Sequence, residues 1–291
     1  MVTDGTDGPV RLDGQSVVLT PRLRKVLLAQ ARNRWLKGDE AERNLARFFG
    51  PFLEARTAID VGAHKGDFST VLLDAGFETF AFEASPGKAQ QLRSRFADRP
   101  DFHLFAVAAA DHDGSIDLSS VEQVADIGDR PYDTSLLSTV VRHPMIEQLR
   151  FGGTIRIPAR RLDTLAAAGL LPSRPGILKI DAEGYDRSVL LGAATLRPQI
   201  VVVEYWGRDF VFNGGATAND VADHCGVMKG RGYPLHLVVG QDATDNSIRW
   251  AACPGRSVPN SWGNVFFFES GALFDEALGW ASEVIGLDRL A

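Results

Sequence analysis

From Arg56 onward, short apolar runs alternate with helical stretches, and this rhythm constrains the fold more than any other feature of the sequence. "TAIDVG" (57–62) reads as a strand and "FSTVLLDAG" (68–76) as a helix closed by glycine. "TFAFEA" (79–84) is a second strand, and "PGKAQQLRSRFAD" (86–98) a helix with proline in its first turn. "FHLFAVAAA" (102–110) is a third strand. Alternation at this spacing gives βαβ units, and so a parallel sheet with right-handed crossovers. "DHDGSIDLSS" then breaks the rhythm with an Asp-Gly turn that marks a β-excursion, and residues 120–155 are irregular. The alternation resumes with "IRIPARRLDTLAAAGLL", the strand "GILKID", the helix "YDRSVLLGAATL" and the strand "PQIVVVEYW" (198–206). A helix around 217–231, the strand "YPLHLVVG" (233–240), a long polar loop, the strand "NVFFFES" (264–270) and a last helix follow.

At 291 residues, with 45% hydrophobic and 23% charged, the chain can bury one large core. The sequence predicts a mobile N-terminal tail over 1–20, a helical segment over 21–50, and one α/β domain over 51–291 with an insertion around 112–158. A net charge of −6 argues against broad nucleic-acid binding, which needs cations to displace condensed counterions. No apolar run is long enough to span a bilayer, and the N-terminus has no signal-like apolar core. Two cysteines, Cys225 and Cys253, are too few for a disulfide framework and read as packing residues. A cytoplasmic setting is the expectation.

Chemistry concentrates at the strand ends. "AIDVGAHKGDFS" places Asp60, Gly62, Ala63, His64 and Gly66 at the first strand-to-helix turn, where glycines permit a tight bend and a helix N-terminus offers free N–H groups. Glu83 ends the second strand, 21 residues after Gly62, where an acid can accept from both hydroxyls of a ribose. Ala84 and Ser85 follow it. The missing third glycine disfavours a dinucleotide. Asp60 suits a cationic ligand such as S-adenosylmethionine (SAM), whose ammonium it would attract directly or through water.

Ligands of a doubly wound sheet sit beyond the carboxyl ends of its strands. Asp181, ending "GILKID", should therefore share a crevice with Gly62, and Glu204 ends the neighbouring strand. Asp181, His64 and Glu204 are the candidate bases for taking a proton from an acceptor hydroxyl. His64 can equally be an acceptor contact or a turn residue, Asp181 a partner for loop amides, and Glu183 a helix cap. Asp181, Glu183 and Glu204 are also hard oxygen ligands of the kind Mg²⁺ accepts, although nothing in their spacing imposes a metal.

"AIDVGAHKGDFSTVLLDAG", "FAFEASPGKAQQL", "RLDTL", "ILKIDAEGYDRSVLLGA" and "PQIVVVEYW" resemble, in order, the successive blocks of the FkbM-type SAM-dependent methyltransferases. The resemblance covers about residues 57–206, roughly half the chain, and is most specific in "LKIDAEGYDRSVLLGA". It implies a class I methyltransferase fold, Rossmann-like, with a seven-stranded, mostly parallel sheet containing one antiparallel strand and helices on both faces. It implies O-methylation of sugars in glycans or glycolipids, or of natural-product hydroxyls. It places Asp60, Gly62 and Gly66 in the SAM turn, Glu83 on the ribose, and Asp181 and Glu183 in the active-site block. His64 stands where the family turn most often has Asn.

Segments outside those blocks should select the acceptor. Tyr205, Trp206, Phe210 and Phe212, and later Trp250, Trp262, Asn260 and Asn264, can cover a sugar face or anchor a core. Arg142, His143, Arg150, Arg156, Arg160 and Arg161 make the insertion basic, as a phosphorylated acceptor or a solvated surface would require. A SAM-binding protein without catalysis is the alternative reading, and a nucleotide-dependent oxidoreductase a more distant one.

Overall fold

A computed structural model describes residues 10–12, 15–17, 38–119, 124–127, 130–133, 139–141, 154–208, 219–242, 247–255 and 261–285. Within the segment expected as a mobile tail, β1 (Val10–Leu12) pairs antiparallel with β2 (Gln15–Val17), and the intervening Asp-Gly is the dipeptide that two-residue hairpins favour. Of the helical segment expected over 21–50, the described part is α1 (Gly38–Phe49); residues 18–37 lie outside the described residues.

The central sheet takes β3 (Thr57–Val61), β4 (Glu78–Phe82), β5 (Phe102–Phe105), β11 (Ile177–Ile180), β12 (Ile200–Trp206), β13 (Leu235–Asp242), β14 (Ile248–Ala252) and β15 (Ser261–Phe268), in the order β14-β13-β15-β12-β11-β3-β4-β5. Strands β5, β4, β3, β11 and β12 run parallel. β15 is antiparallel to both β12 and β13, and β14 is antiparallel to β13. The sheet thus has eight strands, two of them reversed, where seven with one reversed were expected. The additional strand is β14, drawn from the long polar loop. It carries two large apolar side chains, Trp250, which is 2% exposed, and partly buried Ile248, both packed on the core, too short a pattern to read as a strand.

Sequence periodicity also misplaces the third strand. "FHLFAVAAA" divides into β5 and β6 (Ala108–Ala109), and β6 leaves the central sheet to pair parallel with β10 (Thr154–Arg160). β10 runs antiparallel to β7 (Gly114–Ser119), so the β-excursion is a separate three-stranded sheet, β6-β10-β7. An unbroken apolar run carries no mark of where pairing passes from one sheet to another. A further hairpin, β8 (Val124–Ile127) with β9 (Arg130–Asp133), lies in the segment read as irregular.

Strands β11 and β12 read as nearly continuous apolar runs because both faces of the sheet are covered. On one face Ala58, Ile177, Ile200, Val202 and Phe266 pack against α1, α2 (Asp67–Asp74) and α7 (Gly271–Val284). On the other, Ile59, Leu178, Val201, Val203 and Phe267 pack against α4 (Leu162–Ala167), α5 (Asp186–Gly192) and α6 (Val221–Gly230). Helix α3 (Pro86–Arg95) closes the β4 side through Leu92. β3 has β4 on one side and β11 on the other, which makes the ends of β3 and β11 the switch point of the sheet.

No described helix is long and apolar enough to cross a membrane. Both thiols are free. A histidine does stand beside Cys225, contrary to the sequence reading: His236 Nε2 is 3.3 Å from its Sγ. Burial nonetheless pushes the Cys225 thiol up to about 11, which suits a packing residue better than a nucleophile.

Candidate active site

The β3–α2 turn is built by backbone strain and by the strands beside it. Gly62, His64 and Gly66 all take positive φ, of 77°, 51° and 85°. The N–H groups of Gly62 and Ala63 both donate to the Phe82 carbonyl at 3.0 Å. A Cβ built on Gly62 would overlap the Asp181 carbonyl oxygen, so only glycine lets the turn lie this close to the end of β11. Gly66 then leads into α2, and Arg95 fastens the outside of the turn by bonding Asp67 at 2.8 Å and the Lys65 carbonyl.

Glu83 lies directly against this turn. Its Oε2 accepts from the His64 N–H and its Oε1 from the Ser85 N–H, both at 2.8 Å. The side chain is buried, and burial pushes its carboxyl above the usual range despite those two bonds and nearby Lys88. An ionised carboxylate offers about four acceptor positions, of which two are filled here. Ala63 and Ser85 are buried beside it, and Ala84 packs towards the small sheet.

Lys179 was not singled out from the sequence, yet it joins the two strand ends. Its Nζ lies 3.1 Å from Asp181 Oδ2, 3.5 Å from Asp60 Oδ1 and 3.4 Å from the Gly62 carbonyl. Burial alone would favour the neutral amine, but Asp181 and Asp60 outweigh it and hold the ammonium well above its ordinary value. Asp60 has no exposed surface and accepts from Ser69 Oγ at 2.6 Å. It therefore lies beneath the turn, and the open carboxylate is that of Asp181, whose side chain is 36% exposed.

Register extends the site sideways. Ile180 pairs with Val203, so Asp181 and Glu204 lie at one level on adjacent strands; Glu204 does not end β12, as the sequence reading had it, but lies within it before its end at Trp206, paired with Asn264. Burial, then the charges of Asp181, Glu183 and Asp186, pushes the Glu204 carboxyl well above its ordinary value. One side of it is hydrogen-bonded by the Trp206 side chain, and Oε2 is buried without a partner. Buried His224 holds the Glu204 carbonyl at 2.9 Å, and burial lowers that imidazole to about 4.

Glu183 does not cap α5. It takes a left-handed φ of 50°, and burial with neighbouring Asp181 and Asp186 raises its carboxyl well above normal. No side chain caps α5; Asp186, its first residue and fully buried, instead holds the preceding turn, accepting from the N–H groups of Ala182 at 2.9 Å and Gly184 at 3.1 Å. Thr139 Oγ1 donates to the Glu183 carbonyl at 2.7 Å from the far side. Among the described residues, no group of three or more His, Cys, Asp or Glu side chains has the geometry to hold a metal, so Asp181, Glu183 and Glu204 do not form a metal cage.

The structure thus brings Gly62, Ala63, His64, Gly66, Glu83, Ser85 and Asp181 together at the switch point, with Asp60 buried beneath the turn rather than facing a ligand and Glu204 one strand further on. Lys179 and Asp186 escaped the sequence reading. A lone lysine inside an apolar strand and an aspartate at a helix start show no partners until the strands are in register. Of the basic residues in the insertion, Arg142, His143 and Arg150 lie outside the described residues, as do Phe210, Phe212 and Asn260. Arg156 is engaged by Ser115 and Asp117, and Arg161 by Asp163.

The crevice accepts a nucleoside on chemical grounds. A buried carboxylate with unused acceptor positions stands at the second strand end, beside a glycine turn opening onto a helix N-terminus. Comparison with known proteins bears on the same region. No protein of curated function matches the chain. Three solved structures are similar in fold, all with TM-scores near 0.4. The O-methyltransferase from Bacillus cereus in complex with SAH has 12% identity and a TM-score of 0.41, over 86% of this chain and 91% of that one. Magnesium protoporphyrin IX methyltransferase (ChlM) from Synechocystis PCC 6803 with bound SAM has 10% identity and 0.39, over 87% and 86%. N-methyltransferase NodS from Bradyrhizobium japonicum WM9 has 10% identity and 0.38, over 77% and 92%. The sequence itself matches the methyltransferase FkbM domain over residues 60–235, the span that holds the turn, Glu83, Lys179, Asp181 and Glu204. The chain belongs to the methyltransferase FkbM domain family, and SAM is its methyl donor.

Proposed function

We propose that this chain is an O-methyltransferase that methylates a hydroxyl of a carbohydrate or natural product, with Asp181 as the proton acceptor. The observation that carries this reading is the placement of Asp181: an accessible carboxylate that touches the glycine turn through its backbone and Lys179 through its side chain. When bound, SAM supplies an electrophilic methyl on a sulfonium. Glu83 accepts from the ribose hydroxyls, and the Gly62–Gly66 turn faces the rest of the donor. Lys179 fixes Asp181 Oδ2, which leaves Oδ1 to face the acceptor. Asp181 would take the proton that the acceptor hydroxyl loses as its oxygen gains the methyl and the methyl–sulfur bond breaks, leaving S-adenosylhomocysteine, and would pass that proton to solvent. Glu204, whose carboxyl burial and its acidic neighbours push well above the ordinary value, orients the acceptor by hydrogen bonding.

Calorimetric titration with S-adenosylhomocysteine, together with turnover of deuterium-labelled SAM on carbohydrate and small-molecule extracts, tests this reading. Glu83→Ala should weaken cofactor binding at least about tenfold. Asp181→Asn should keep cofactor affinity and lose roughly 10²–10⁴ in turnover, the usual range for a general base. Tight cofactor binding with no labelled product from any extract would favour a SAM-binding protein without catalysis. Label found on nitrogen or carbon would remove the O-methyl assignment.

A further inference from the structure

Beyond Asp181, the sheet continues into a row whose outer members, Asn264 and Trp262, neither the family match nor the proposed chemistry covers. Glu204 stands directly opposite Asn264, and Trp206 directly opposite Trp262, in the antiparallel pair β12·β15. Residues opposite one another point to the same face, as do residues two apart on one strand. All four side chains therefore share the face that carries Val202 and Phe266, as Asp181 does.

This polar pair is incomplete. Asn264 is 4% exposed and its amide oxygen has no partner, and Glu204 Oε2 is also buried and unpaired. A buried amide or carboxyl oxygen left unpaired is destabilising, and such groups commonly await a ligand or water. The pair is flanked by accessible groups, Asp181 on one side and half-buried Trp262 on the other.

Charge decides what the row can take. Asp181 is the open carboxylate of the site, whereas Lys179 is buried and already paired with two carboxylates. Arg156 is bound by Asp117, and Arg161 by Asp163. An anionic acceptor would meet repulsion from Asp181. A neutral polyol would meet an indole that can lie against its C–H face. It would also meet an amide oxygen and a carboxyl oxygen at the spacing of neighbouring strands, suited to adjacent hydroxyls.

We propose that Asn264, Glu204 and Trp262 form the acceptor subsite and hold one ring of a neutral sugar, with Trp262 against its apolar face and Asn264 and Glu204 on neighbouring hydroxyls. This rests on the O-methyltransferase reading. Trp206 is a positioning residue, holding Glu204 through its indole N–H.

Saturation-transfer NMR with a panel of methyl hexopyranosides and methyl 6-deoxyhexopyranosides, on the full chain with S-adenosylhomocysteine bound, tests it. At least one glycoside should give saturable transfer. Trp262→Ala and Asn264→Leu should each weaken that binding tenfold or more while cofactor affinity, followed by calorimetry, stays unchanged. Asn264→Leu removes an unpaired amide oxygen at similar volume, and its melting temperature, measured beside the parent's, separates loss of sugar binding from unfolding. Cofactor binding without transfer to any glycoside would overturn the subsite and leave the methyltransferase reading intact. Glycoside binding that survives both substitutions would overturn it equally. Failure of the cofactor to bind would count against the methyltransferase reading itself.

Discussion

Asp186 carries the Ala182 and Gly184 amides on a side chain with no exposed surface, and burial, reinforced by Asp181, pushes its carboxyl up to about 7. In the unfolded chain an aspartate titrates near 3.9. Between those values the folded protein binds the proton more tightly, so this group's contribution to stability is complete below about pH 4 and is lost as the pH rises through about 7. The melting temperature of the parent minus that of Asp186→Asn should therefore be largest near pH 4 and shrink towards pH 8. His224, held neutral by burial, acts in the opposite sense below about pH 6.5 but is common to both proteins and cancels. Calorimetric scans at several pH values check this, and a difference independent of pH would refute the raised titration. Lys179 illustrates the limit of reading residues singly. In "ILKID" it looks like a polar interruption, and its role appears only when Asp60 and Asp181 arrive from either end of the β3–β11 crossover.

At the scale of elements, the small sheet buttresses the site. Thr139 exchanges backbone hydrogen bonds with Ser119 at the end of β7, and its hydroxyl holds the carbonyl of left-handed Glu183. Thr139→Val removes that hydroxyl at nearly constant shape. A hydrogen bond contributes about 1 kcal/mol, so turnover should fall roughly fivefold. Cofactor affinity should hold, and Thr139→Ser should restore the rate. An equal loss in the serine variant would show that the methyl group, not the hydroxyl, matters. The parallel strands and the β3–α2 turn were legible in the sequence, because a strand buried on both faces is apolar throughout and a bend packed this close to β11 demands glycine. The small sheet was legible only as a β-excursion. Its central strand β10 lies far along the chain from both its partners, and β6 hides in the same apolar run as β5.

On the scale of the whole molecule, the sheet is one strand wider than the family resemblance implied. β14 adds Trp250 to a core shared with Leu45, Phe49 and Val239, tying the far sheet edge to α1. Trp250→Ala should cost about 3–5 kcal/mol, measured by urea denaturation, as expected for emptying a large buried site. A loss under about 1 kcal/mol would mean that β14 decorates the fold without supporting it.

The contact between Gly62 and Asp181 has a mechanical corollary. Because the bend after β3 leaves no room for even a methyl group against the tip of β11, the glycine turn and Asp181 are fused at their base. Neither can swing away from the other without parting two hydrogen-bonded strands. On the proposed reading, the distance from donor turn to proton acceptor is therefore set once, at folding, rather than anew in each cycle.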